Sequence, residues 1–410
     1  MRGLKTVFFL SLISLNLNAL AQIKVDITRP ADNAIPFAVA PFAGSFETAT
    51  IIAADLNRSG RFKVISPMQI PQQINSINQI TPALWQSLNV TYAVAGSVSG
   101  NNISFELGNV LNKQLLDKRS FNTNNAQQTR RVAHQIADII FEKITGIAGA
   151  FDSRVAYVET SGRNYALVVA DADGFSPRAI LNSKEPIFSP AWSPNGSQLA
   201  YSTLEGKRSS LVVQDLYSGN RRVISAAPGI NSAPSWSPDG NSIALTLSKD
   251  GNPEIYIIAV NSGALTRLTN HPGIDTEPSW GRDGYIYFTS DRGGQPQIYR
   301  VSSNGGATEL ITSSGNYNAQ AAVSPDGKYL VNMQRVGSNF GIAITNLATR
   351  TTQRLSNGGQ DESPSFSGNG QMIIYASKHG LEAISTDGKV RQTISNSANI
   401  RDPAWSPKLP

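Results

Sequence analysis

This chain of 410 residues contains no cysteine and only three histidines. Without thiols there is no disulfide, no thiolate metal site, no catalytic cysteine and no acylated cysteine of the kind that anchors bacterial lipoproteins. His134, His271 and His379 lie far apart, with no partner at metal-ligand or triad spacing, so no metal, no cofactor and no catalytic residue is expected. His134 reads as a solvated residue beside Arg130-Arg131, while His271 and His379 fall in turn-like sequence. The Gly-x-Ser-x-Gly elbow, the phosphate-binding loop and the His-Glu-x-x-His pair are missing too. The formal charge is +6, yet no basic run with interleaved aromatics occurs, which argues against nucleic acid as a partner.

Long apolar runs are scarce as well. The one candidate follows the basic start Met1-Arg2-Gly3-Leu4-Lys5, covers residues 7–15 and leads to Ala19-Leu20-Ala21, with small residues where a signal peptidase reads. Residues 1–21 are therefore expected to be a secretory signal, with the mature chain starting at Gln22. No other stretch reaches the length of a membrane span, so a soluble exported protein is expected.

What is abundant is a repeat. Pro234-Ser235-Trp236-Ser237-Pro238-Asp239-Gly240 has counterparts whose large apolar position falls at 192, 236, 280, 323, 366 and 405, at intervals of 44, 44, 43, 43 and 39 residues. A period near 40 to 45 residues is that of propeller blades. Within one period, β-rich runs such as 242–246, 254–259 and 265–268 alternate with turn chemistry, so each unit reads as a four-stranded antiparallel sheet. Before Trp192, runs at 155–158, 165–169 and 178–181 supply strands two to four without a first, and after Trp405 stands a first strand without followers. The expected fold is an α/β N-terminal domain followed by an all-β six-bladed β-propeller closed by the C-terminal strand, a clasp that removes open sheet edges. The repeat tryptophans are expected to pack between blades. Asp171-Ala172-Asp173-Gly174 is expected to be a hairpin turn, since the remaining ligands of a calcium loop do not follow.

Residues 34–150 lack the repeat. Strands are expected at 36–40, 61–65, 92–98, 103–107 and 114–121, and a helix start at Thr81-Pro82. One further helix has Ala49, Ile52, Ala53 and Leu56 on one face, and another, over 125–144, has Val132, Ile136, Ile140 and Ile144. Residues 146–152 are expected to be a hinge, giving domains of 34–150 and 151–410 behind a partner-binding segment, 22–33. In a ring of blades, the segments just before each Trp-equivalent are expected to cross between blades and converge at one channel mouth. They contain Ser189, Ala233, Thr276-Glu277, Gln320, Glu362-Ser363 and Asp402. These small, amide and acidic side chains suit a protein surface better than a small molecule. Glu277, Asp361, Glu362 and Asp402 are expected to form a solvated acidic rim there.

The repeated motif, the cysteine-free α/β domain and the signal sequence together resemble the TolB family, periplasmic components of the Tol-Pal system of Gram-negative bacteria. The resemblance covers essentially the whole mature chain. It implies a non-enzymatic, monomeric adaptor in the periplasm that helps the outer membrane follow the envelope at cell division. The implied partners are the lipoprotein Pal at the channel face and the C-terminal domain of TolA at the mature N-terminus, with colicins and outer-membrane proteins also engaging such chains. Carried over, the TolA-binding residues are Gln22, Ile23, Lys24, Val25, Asp26, Ile27, Thr28 and Arg29. Alternation of Ile23, Val25 and Ile27 with polar residues suits a strand that adds to a partner's sheet or lies on its own α/β domain. The Pal-binding residues are Ser189, Ala233, Thr276, Glu277, Gln320, Glu362, Ser363 and Asp402, and replacing Thr276 and Glu277 is expected to leave stability nearly unchanged. Gln320 departs from the acid common in the family, and Gly368 from its Pro. A propeller-based secreted hydrolase or a sugar-binding dehydrogenase relative is the alternative; the first needs a further domain, the second a base near the axis.

Overall fold

The computed structural model describes residues 34–409 and the backbone of a short strand, β1 (Val25–Ile27). The first domain is a five-stranded sheet made of β2 (Ile35–Val39), β3 (Phe62–Ile65), β4 (Tyr92–Ser99), β5 (Asn102–Asn109) and β6 (Leu115–Asn122), in the order β3-β2-β4-β5-β6. Its helices are α1 (Phe46–Arg58), the single turn α2 (Pro82–Trp85) and α3 (Ala126–Thr145). β2, flanked by β3 and β4, is parallel to both neighbours and buried on both faces, so it reads as an unbroken apolar run. α1 and α3 cover one face with Ile52, Leu56, Ile136 and Ile140, while Ile74, Ile77, Ile80 and Trp85 cover the other. The helix ends are written locally: Ser45 accepts from the Thr48 N–H, Asn125 from the Gln128 N–H, and Gly146 takes the left-handed turn that stops α3.

Six four-stranded antiparallel sheets follow, and they close as a ring. In the sixth blade the innermost strand is Ile400–Trp405, paired with Arg154–Ser161, so the two ends of the array complete one sheet. Apolar clusters join neighbouring blades: Trp192 packs with Val158 and Ala404 between the first and sixth, and Ile374 and Leu381 with Val155 and Tyr157 between the fifth and sixth. Tryptophan N–H groups reinforce these seams, Trp192 Nε1 donating to the Ala404 carbonyl at 3.0 Å and Trp236 Nε1 to that of Ala191 at 3.1 Å. The 171–175 segment is the hairpin turn expected of it, with the Asp171 N–H donating to the Phe175 carbonyl.

The α/β domain docks on turns at the exit ends of the fifth and sixth blades. Gln392 Nε2 donates to the Arg58 carbonyl at 2.7 Å, Arg61 to Gln371 Oε1 at 3.1 Å, and Asn369 Nδ2 to the Ala148 carbonyl at 2.9 Å. Close approach requires glycine at position 60, where a Cβ would overlap Val390 Cγ2. The 146–152 connection, expected as a hinge, is pinned: Asp138 accepts the N–H groups of Phe151 at 2.6 Å and Asp152 at 3.2 Å. Among the described residues no helix is long and apolar enough to cross a membrane.

Candidate functional site

Each inner strand carries the same irregularity. Its pairing with the second strand slips by a β-bulge, between Phe188 and Ala191 in the first blade and at the matching position in the other five. At the bulge a non-glycine residue is left-handed: Ser189 (φ 53°), Ala233 (51°), Glu277 (54°), Gln320 (56°), Ser363 (52°) and Asp402 (49°). The next residue is proline in five blades and Ala321 in the fourth. A proline has no N–H to lose where the ladder is already interrupted, which is why the repeat begins with one. These residues were expected in crossings between blades; the bulge places them inside the inner strands, part-way down the channel.

Left-handed backbone costs a side-chain-bearing residue about 1–2 kcal/mol, and here the bulge aims its side chain at the next blade. The Gln320 N–H donates to Glu277 Oε2 at 2.9 Å, the Ser363 N–H to Gln320 Oε1 at 2.8 Å, and the Ser189 N–H to Asp402 Oδ2 at 3.0 Å. Ser363 Oγ donates to Asp402 Oδ1 at 3.1 Å, and the Glu277 N–H donates to Thr246 Oγ1 at 3.2 Å. Much of the polarity read as a recognition surface therefore tightens the ring. Glu277, which also accepts from Thr289 Oγ1 at 2.8 Å, is not the replaceable surface acid it was expected to be.

Inner strands run along the channel, and their two ends form two mouths. Toward the exit, a funnel of ≈ 390 Å³ is lined by all six bulge residues and by Trp192, Trp236, Trp280 and Trp405. At the entry, a cavity of ≈ 380 Å³ is lined by Tyr317, Phe340, Asp361, Glu362, Lys378 and Arg401. The eight candidates thus divide. Thr276 and Glu362 stand one residue before the bulge and outside the funnel; Thr276 Oγ1 lies 3.3 Å from Thr246 Oγ1, and Glu362 belongs to the entry mouth. Burial pushes the Glu277 carboxyl up, and Asp402 and Glu362 add to this against the hydrogen bonds from Thr289 and Gln320. Glu362 is raised likewise by burial and then by Asp402, with Arg401 opposing.

The acidic rim is only partly one. Asp361 is buried, accepting from Ser356 Oγ at 2.5 Å and from the Gly358 N–H at 2.9 Å. It belongs to a series with Asn231, Asp275 and Asn318, each buried three residues before the motif's first position; Asn231 and Asn318 likewise hold the incoming loop, donating to the Ala227 and Ser314 carbonyls, whereas Asp275 accepts from Arg292. That fixed offset is the signal by which the repeat could have shown them. Gly368 also has a local reason, since a Cβ there would sit 3.1 Å from the Lys408 N of the C-terminal tail.

Of the N-terminal candidates, Val25, Asp26 and Ile27 form β1, whereas Gln22, Ile23, Lys24, Thr28 and Arg29 lie outside the described residues. β1 does not lie on the α/β sheet. It pairs antiparallel with the outermost strand of the fifth blade, Val25 opposite Gln392 and Ile27 opposite Val390, because that strand offers an open edge beside the seam.

Sequence reasoning also missed His134. It is 3% exposed, not solvated, with Nδ1 2.7 Å from Asp55 Oδ2 and Nε2 3.8 Å from Asp173 Oδ2. The available signal was the i,i+4 pair His134 and Asp138 flanking the apolar face of α3. Asp173 comes from a different domain and nothing local announces it.

Residues 141–409 match the family model of the TolB beta propeller domain, and residues 23–116 that of the TolB amino-terminal domain. The chain is 48% identical over 402 residues to the Tol-Pal system protein TolB of Methylococcus capsulatus, covering 94% of this chain and 95% of that one. It is 48% identical over 401 residues to the protein of the same name from Methylobacillus flagellatus, covering 93% and 92%. The crystal structure of TolB from Acinetobacter baumannii superposes with a TM-score of 0.86 at 39% identity, over 94% of this chain and all of that one.

Proposed function

The chain belongs to the TolB family of Tol-Pal system proteins, and from that premise we propose that it is a non-catalytic periplasmic adaptor linking Pal to TolA. In this reading residues 1–21 are removed on export, residues 22–33 bind the C-terminal domain of TolA, and the propeller's entry mouth receives Pal. The two contacts join the outer and inner membranes and support outer-membrane integrity as the envelope constricts at division. The observation that carries the reading is the position of β1. It is held by three residue pairs at the outermost edge of a blade. At a net ~1 kcal/mol per hydrogen bond, exchange onto another sheet edge costs only a few kcal/mol.

Glu362, Lys378 and Arg401 give the entry mouth charge of both signs on the side away from the docked α/β domain, which suits a polar protein partner. Thr276 and Glu362, which stand before the bulge, are the Pal contacts in this reading, while the bulge residues, Glu277, Gln320 and Asp402 among them, chiefly hold the ring's shape behind them. The histidines fit a non-catalytic role: His134 is engaged at the domain seam, and His271 Nδ1 accepts the Gly273 N–H at 2.9 Å within a turn.

The test is calorimetry of the mature chain, a form lacking 22–33 and Glu362→Lys against Pal and against the TolA C-terminal domain. The truncation is expected to lose TolA and keep Pal, and Glu362→Lys to do the reverse. Unchanged TolA affinity in the truncated chain would refute the assignment of the segment, and unchanged Pal affinity in Glu362→Lys that of the mouth.

A further inference from the structure

The seam between the domains holds a buried charge network outside both proposed binding surfaces. His134 on α3 faces Asp55 on α1 through Nδ1, and its Nε2, directed toward Asp173 of the sixth blade, has no hydrogen-bond partner. Arg58 pairs with Asp55 at 2.9 Å. Arg130 pairs with Asp173 and lies 3.5 Å from Asp171, and Arg131 pairs with Asp152 at 3.1 Å. Arg154 faces Asp171 from the sheet side, and Asp138 completes the group on α3. Four guanidinium groups therefore meet five carboxyl groups (Asp55, Asp138, Asp152, Asp171 and Asp173), and an imidazolium at His134 makes the two sums equal wherever Asp138 is ionised. A metal cation in the Asp55, His134, Asp173 triangle would meet Arg58 and Arg130 already on both carboxylates, so a proton suits the site better.

We propose that His134 is a proton-operated latch between the domains, donating as an imidazolium to Asp55 within its own domain and toward Asp173 on the propeller, and loosening the docking when it loses its proton. Beside His134, a cavity of ≈ 220 Å³ lined by Asn125, Gln128, Asp152, Arg154 and Asp171 connects the seam to solvent. Burial opposes the charge on His134, but the charge and hydrogen bond of Asp55, with Asp173 behind them, outweigh it and hold the imidazole above its usual value. Docking is then strongest below the midpoint that His134 has in the undocked domain, where Asp55 still faces it, and weakens as pH rises from there through the docked value, by up to about tenfold per pH unit between the two. Asp138, pushed up to about 6 by burial, acts in the same sense at lower pH, losing its contribution as pH rises to that value.

The experiment uses the full mature chain. The His134 imidazole is titrated by NMR, and protease cleavage within 146–152 is timed from pH 5 to pH 9. The expected result is a His134 midpoint above the ordinary value, with cleavage slow at low pH and accelerating by up to about tenfold per unit as pH approaches that midpoint. His134→Gln should cleave fast with no pH step in that range. Asp173→Asn, which leaves the α/β core untouched, should lower the His134 midpoint while that domain stays folded. A wild-type midpoint at or below the ordinary value, or the same pH step in His134→Gln, would overturn the latch. So would protection that depends on added zinc and disappears in His134→Gln.

Discussion

Ring closure is most directly tested at Trp192, which is 8% exposed and joins the first blade to the closing strand through its ring and through Nε1 on the Ala404 carbonyl. Trp192→Ala removes a buried aromatic, which costs about 3–5 kcal/mol. The Ala404 carbonyl, left without its donor in a buried seam, adds about 1 kcal/mol. Trp192→Phe keeps most of the apolar contact and orphans the same carbonyl, so about 1–2 kcal/mol is expected. At about 2–4 °C per kcal/mol for a domain of this size, the alanine variant should melt roughly 12–18 °C lower and the phenylalanine variant roughly 3–6 °C lower. Calorimetry at neutral pH measures both. Carboxypeptidase digestion adds a structural readout, because loosening this seam should expose Ile400–Trp405 sooner than Trp280→Ala does, Trp280 being half-buried and in mid-array. The reasoning fails if Trp192→Ala is no worse than Trp280→Ala and the C-terminal strand stays equally protected in both.

Two further outcomes follow from the channel and the seam. Glu277 is raised by burial and by its acidic neighbours, so its ionisation weakens the fold as pH climbs from the ordinary glutamate value through the raised one. Glu277→Gln, whose amide oxygen can still accept from Thr289 and Gln320, should match the wild-type melting temperature near pH 4 and exceed it at pH 8; equal pH profiles would show that the channel carboxylates do not repel. Asn369 alone among the matching turn residues donates across the domain seam, to the Ala148 carbonyl. Asn369→Asp loses that donor and sets a carboxylate against a carbonyl, so hydrogen exchange over 146–152 should accelerate by about tenfold, equivalent to ~1.4 kcal/mol, with the propeller's own protection unchanged.

Much of the architecture was legible in the chain because it rests on local rules repeated many times. A 44-residue period, turn residues at fixed offsets and apolar runs bounded by Gly and Pro specify blades. A strand without followers at one end and followers without a first strand at the other specify how the ring closes. The helix caps at Ser45, Asn125 and Gly146 are likewise local. The candidate surface was legible in part. The segments before each tryptophan do converge on the axis, but their bulge and left-handed backbone depend on pairing with the second strand, and that pairing turned Glu277, Gln320 and Asp402 from residues of crossing segments into links between blades.

What only the tertiary structure decided involves residues distant in the chain. His134 became buried because α1 delivers Asp55 and a turn of the sixth blade delivers Asp173, at separations no sequence window spans. β1 settled on the fifth blade because folding leaves that edge open next to the α/β domain, although its alternating pattern would suit any edge. Local backbone preference and periodicity act over a few residues and are written in the sequence. Which charges meet, and which sheet edge stays unpaired, is known only once the domains have docked.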